Sequence, residues 1–117
     1  MFILGMLLYR QRGQARDILL VISGEFGCTP KINGNSGRDH WAPLTPLALA
    51  GGGLRMGQTV GESSAKGETP KTSAIRPQDL MATIFQFMGM DGRGTIVNQS
   101  GRPVFPIEDG HPIAELV

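Results

Sequence analysis

One cysteine, Cys28, stands in this chain of 117 residues. A lone thiol excludes an internal disulfide framework and a zinc site built from cysteines. It leaves the compartment open. An excess of one charge is also missing: 11 Lys plus Arg stand against 10 Asp plus Glu, a formal net charge of +1. No block of like charges suggests a solvating tail. No basic stripe with interleaved aromatics supports nucleic-acid binding. Long apolar runs are absent too. The start, MFILGMLLY, is apolar, but a bilayer span needs roughly 20 such residues. Arg10, Arg12 and Arg16 come after the run instead of before it, and no small-residue cleavage site follows, which is wrong for a secretory signal. Two readings stay open for residues 1–16: a short buried helix, or non-native sequence ahead of a truncated domain. No internal repeat is visible.

Glycine is what the chain has in excess. Its 17 glycines are about twice the usual fraction. That predicts a loop-rich chain with several tight turns or close backbone approaches.

The run Asp17 to Ile22, DILLVI, is continuously apolar after its first residue and ends at Ser23-Gly24. It predicts a buried strand of the parallel type. Residues 24–43 form a long loop rich in Gly, Pro and Asn, and ordered loops of this length are usually functional. Leu44 to Ala50 predicts a second strand, closed by Gly51-Gly52-Gly53. Residues 54–62 suit a short edge strand or hairpin arm, and 63–74 a surface loop. The best helix signal follows. Pro77 suits a first-turn position, and Asp79 lies near the N-terminal dipole. Leu80, Ile84, Phe87 and Met88 recur at helical spacing, and Gly89 suits a C-terminal cap. The proline-rich tail is expected to run extended over the surface. Two or three strands with one helix is a thin inventory for a layered domain. The shortfall points to the end of a larger protein.

Residues 24–41, GEFGCTPKINGNSGRDHW, hold the chemistry-bearing side chains. Glu25 follows the first strand directly, where a carboxylate can ligate a hard or borderline metal ion. The plainer reading is a loop carboxylate bonded to backbone N–H groups. His40, beside Asp39, suits a metal ligand or general acid, or a surface histidine paired with a carboxylate. One His and one Glu do not complete a metal site, which takes three or four protein ligands. Arg38 can fork onto an anionic oxygen or pair with a nearby acid such as Asp39. Cys28 has no local feature that would activate its thiol. His111 reads as a surface residue. Gly51-Gly52-Gly53 lacks the Lys-Ser/Thr of a phosphate-binding loop.

Five ordered stretches, GEFGCTPKIN, GRDHW, LAGGGLRMGQTVGES, RPQDLMATIFQFMGMD and GRPVFPIEDGHPIAEL, together resemble the C-terminal part of the DUF1501 proteins. The likeness runs over residues 17–117. These proteins are sulfatase-like members of the alkaline phosphatase superfamily. The resemblance implies an α/β fold: the C-terminal part of an alkaline phosphatase-like doubly wound domain, loop-rich and incomplete. It implies a divalent metal ion (Zn, Ca, Mg or Mn), with Glu25 and His40 as ligands and Asp39 in support or as a further ligand. It also implies a small anionic sulfate or phosphate ester as substrate, with Arg38 as its contact. Glu25-Phe26-Gly27 stands where the superfamily reads Asp-His-Gly, and Phe26 cannot ligate. Cys28 stands where the family usually reads Arg, so a guanidinium is replaced by a thiol. The family's nucleophile and first acidic ligands belong to an N-terminal part outside these residues, so the chain by itself is expected to be inactive. Family members often resemble exported proteins. Two rival readings remain: a non-catalytic pseudo-enzyme or binding module of the same fold, and the product of a decayed gene.

Overall fold

A computed structural model describes residues 11–117. The expectation for the apolar start therefore lies mostly outside the described residues. The chain divides into two compact units. One comprises the described residues up to Gly52 together with Met56–Ala74. The other comprises Gly53–Arg55 with Ile75–Val117.

In the first unit, β1 (Leu19–Ser23) pairs with β4 (Leu47–Gly51), and the short strands β2 (Gly27–Cys28) and β3 (His40–Trp41) form a separate pair. Both pairs are antiparallel. β1 thus lies where its apolar run places it, but the expected parallel, buried setting is not found. Its register runs from Leu19 opposite Gly51 to Ser23 opposite Leu47. Leu19, Leu20 and Val21 are only half-buried, and Ile18 and Ile22 are exposed. An apolar run specifies a strand. It does not specify the direction of its neighbour.

The chain leaves β4 through Gly51, Gly52 and Gly53, all left-handed (φ 83°, 66° and 71°). Only glycine enters that region in succession without steric cost. No strand follows at 54–62, a correction to the hairpin-arm expectation. In place of a strand, residues 62–72 fold back as a loop closed by a single bridge between Ser63 and Pro70 and an exposed Lys71–Glu62 ion pair at 2.7 Å.

The second unit is built on α1 (Pro77–Phe87). Pro77 opens it, as its fixed φ and missing N–H favour. Asp79 reaches back to accept the Arg76 backbone N–H at 2.8 Å, capping one orphan donor. Gly89 (φ 70°) closes it: its N–H bonds to Gln86 O (3.0 Å) and the Met90 N–H to Phe85 O (2.9 Å). That is the paired bonding of a Schellman cap. Ala82 and Thr83 are buried and Leu80, Ile84 and Phe87 half-buried, while Met88 is exposed. Beyond the helix, β5 (Ile96–Val97) pairs antiparallel with β6 (Pro103–Val104).

The tail corrects another expectation. It does not simply run over the surface, because Ile113 and Leu116 are buried with Ala82 in the core of this unit. Polar groups of the helix seat it. The Thr83 hydroxyl accepts the Ile113 N–H at 2.9 Å, and Asp79 accepts the His111 N–H at 3.1 Å. Arg76 pairs with both Asp79 and Asp109, and its guanidinium also donates to the Asp109 carbonyl. Gly110 lets the tail close on the helix: a Cβ there would lie 2.5 Å from the Gln78 carbonyl oxygen.

Among the described residues, the architecture is therefore loop-rich, with one helix and three two-stranded sheets. No helix among them is long and apolar enough to cross a membrane.

Candidate functional site

The candidate residues gather on the β2–β3 hairpin. Its strands set Cys28 directly opposite His40 and Gly27 opposite Trp41. Directly opposed residues share one face of an antiparallel pair, so thiol and imidazole are neighbours. Phe26 adds its ring to that cluster, its centroid 3.9 Å from that of His40 and tilted by 31°. Such an aromatic contact favours one orientation of the imidazole. Gly27 is buried for a specific reason. A Cβ at this position would fall 1.9 Å from the Leu44 carbonyl oxygen, so no other residue fits. On the far strand, the Trp41 indole donates to Glu68 O at 2.8 Å and ties the hairpin to the 62–72 loop.

Asn33 organises the connecting turn. Its Oδ1 accepts the N–H groups of Asn35 and Gly37, both at 3.0 Å, and its own N–H donates to Gly37 O at 2.8 Å. Ser36 takes the left-handed conformation that the turn needs (φ 59°). Asn33 Nδ2 then donates to Asp39 Oδ1 at 2.8 Å. Thr29 holds the same residue from the other side: its hydroxyl accepts the Asp39 N–H (3.1 Å), and its N–H donates to Asp39 O (2.9 Å). Asp39 is exposed but firmly placed.

Arg38 pairs with neither an acid nor Asp39. Its Nη1 donates to the carbonyls of Thr29 and Pro30 at 2.6 and 2.5 Å. It braces the backbone just after β2, a role that a loop cation does not announce. Glu25 is exposed at the foot of β2, one residue from Phe26.

The structure thus brings Phe26, Cys28 and His40 together and orients Asp39 through Asn33. It does not close Glu25, Asp39 and His40 into a cage. Among the described residues, no three His, Cys, Asp or Glu side chains gather closely enough to hold a metal ion. The donor types suit a hard or borderline cation, but further ligands are needed to complete its shell. Two residues that sequence reasoning missed are Asn33 and Thr29. An asparagine set among glycines and serine in a loop, whose side chain can bond the backbone two residues ahead, could have revealed the turn.

The family profile described as a protein of unknown function, DUF1501, matches residues 9–117. The chain belongs to the DUF1501 family. The match takes in both compact units and the whole hairpin, so the Gly27 contact and the Asn33 turn lie inside the DUF1501 region. No curated protein and no solved structure matches the chain.

Proposed function

We propose that this DUF1501 chain is the C-terminal portion of a sulfatase-like, metal-dependent hydrolase of sulfate or phosphate esters, with the doubly wound domain completed by sequence outside these residues. The observation that supports the reading most is the hairpin. It holds an imidazole packed against Phe26 (His40), an oriented carboxylate (Asp39) and an exposed carboxylate (Glu25) on one short loop system. The exposure of Ile18, Ile22 and Leu47 on the β1–β4 pair supports a missing neighbour layer, since apolar strands of this kind are normally covered on both faces.

In this reading Glu25, Asp39 and His40 contribute ligands to one divalent ion. The ion would supply Lewis-acid polarisation of the ester oxygen. Phe26 holds the His40 ring, and Asn33 and Thr29 hold Asp39. Arg38 engages two carbonyls through Nη1, leaving its other donors to meet an anionic oxygen.

The test is metal content of the complete hydrolase, measured by elemental analysis, before and after His40→Ala and Glu25→Gln. Loss of metal in both variants is expected. Unchanged metal in His40→Ala would sink the ligand assignment.

One observation favours a second reading, a non-catalytic binding module of the same fold. Cys28 occupies the position opposite His40 where the family usually carries a guanidinium. Cys28→Arg in the complete protein, assayed on generic sulfate and phosphate esters, separates the two. Activity that appears or rises supports the hydrolase, and none in either form supports the binding module.

A further inference from the structure

Two turns in this chain share one hydrogen-bond scheme. In the first, Asn33 Oδ1 accepts the N–H groups two and four residues ahead, and the Asn33 N–H donates to the carbonyl four residues ahead. In the second, Asn98 Oδ1 accepts the N–H groups of Ser100 (2.9 Å) and Arg102 (3.0 Å), and the Asn98 N–H donates to Arg102 O at 2.9 Å. The third residue after each asparagine is left-handed, Ser36 in one and Gly101 in the other. The turns differ at two points. Asn33 is followed by Gly34, whereas Asn98 is followed by Gln99. Asn33 Nδ2 is held by the Asp39 carboxylate at 2.8 Å, whereas the Asn98 side chain bonds backbone groups among the described residues.

We propose that Asn33 is a self-modification site that loses its side-chain amide through a cyclic imide formed with Gly34. The Gly34 nitrogen gives up its proton to solvent base and bonds to Asn33 Cγ. Negative charge collects on Oδ1, where the Asn35 and Gly37 N–H groups already converge. Two aimed backbone donors are the arrangement that stabilises such an oxyanion. Asp39 keeps the amide turned so that Oδ1, and not Nδ2, faces those donors. The Cγ–Nδ2 bond then breaks, and the nitrogen leaves as ammonia after taking up a proton. Water opens the imide at either carbonyl and leaves aspartate or isoaspartate at position 33. In sum, one amide and one water give one carboxylate and one ammonium.

Gly34 is the residue that makes the attack feasible. It has no side chain to shield its nitrogen, and a Cβ there would meet nothing within 4 Å. Gln99 carries a side chain over the corresponding nitrogen, so Asn98 is a built-in control. The product matters for the hairpin. A carboxylate at position 33 faces the Asp39 carboxylate in place of an N–H donor, and like charges at hydrogen-bond distance repel. Asp39 is freed from its clamp. The isoaspartate form also lengthens the backbone inside the turn. The modification itself does not depend on the hydrolase reading.

The experiment is a time course of the purified chain at mildly alkaline pH. It is read by peptide mapping with fragmentation that distinguishes isoaspartate, in parallel with Gly34→Val. Conversion at Asn33 ahead of Asn35 and Asn98 is expected, with both isomers present. Gly34→Val is expected to slow it by an order of magnitude or more, because a β-branched neighbour crowds the attacking nitrogen. The open space at Gly34 lets that variant keep the fold. The proposal is overturned if Asn98 or Asn35 converts as fast as Asn33, if Asn33 stays intact throughout, or if Gly34→Val changes nothing.

Discussion

Thr83 donates its hydroxyl hydrogen to the Asp79 carbonyl at 2.8 Å and accepts the Ile113 backbone N–H at 2.9 Å. This hydroxyl belongs to the one buried polar side chain among the described residues, and it joins the helix to a tail segment 30 residues away. Thr83→Val keeps the shape and removes both bonds. The Ile113 N–H is then buried without a partner, a cost of about 1–3 kcal/mol. Chemical denaturation should register that loss, and amide exchange at Ile113 should accelerate. Thr83→Ser keeps the hydroxyl and should retain the exchange protection.

Acid should loosen the same junction. Partial burial works to raise the Asp79 carboxyl, but backbone N–H bonds from Arg76 and His111, together with the Arg76 guanidinium, outweigh it and hold the pKa below the usual range. Arg76 is correspondingly held above its ordinary value, chiefly by its hydrogen bond to Asp79 and next by that to Asp109. A depressed carboxyl stabilises the fold fully above its unfolded pKa of about 3.9, and the contribution disappears as pH falls through the folded value. The His111 amide resonance should therefore move in an acid titration below about pH 4. Asp79→Asn should abolish that step.

Gly27 should tolerate no side chain. Gly27→Ala places a methyl group 1.9 Å from the Leu44 carbonyl, and forced overpacking costs about 1–3 kcal/mol or more. The control is Gly24→Ala, whose nearest neighbour would be the Phe26 carbonyl at 3.4 Å. NMR cross-strand contacts between Cys28 and His40 should vanish in the first variant and persist in the second.

The twin turns predict opposite responses to exchanging their left-handed residues. Gly101→Ala forces a Cβ into φ 74° and should destabilise its hairpin by about 1–2 kcal/mol. Ser36→Gly relieves the same strain at φ 59°, so it should not destabilise and should lower local exchange rates in residues 33–37.

Much of this was legible in the residues, and for different reasons. Helix α1 could be bounded from Pro77, Asp79 and Gly89, because each acts on the backbone within its own turn. Strand β1 was legible as a strand but not in the direction of its partner, since a continuous apolar run fits either arrangement. The docking of the tail was not legible. It depends on Thr83 and Asp79 meeting backbone N–H groups 30 and 32 residues away, and a backbone group leaves no mark in the sequence. In the hairpin, Glu25, Asp39 and His40 stood out by residue type. Asn33 did not, because its role lies in turn chemistry. Arg38 stood out as a cation suited to an anion, but its bonds to the Thr29 and Pro30 carbonyls were not legible, because carbonyl acceptors leave no mark in the residue types.

The burial of Ile113 and Leu116 has a practical consequence for anyone redesigning this chain. A stop placed before Ile113 would look like trimming a proline-rich end. In effect it would excise two of the three buried apolar side chains found among the described residues, together with the N–H that Thr83 awaits. Helix α1 would be left as an amphipathic cylinder of 11 residues, and isolated helices of that length are marginal in water. The last residues are a keystone of the second unit, and tags or deletions there should be treated as core surgery.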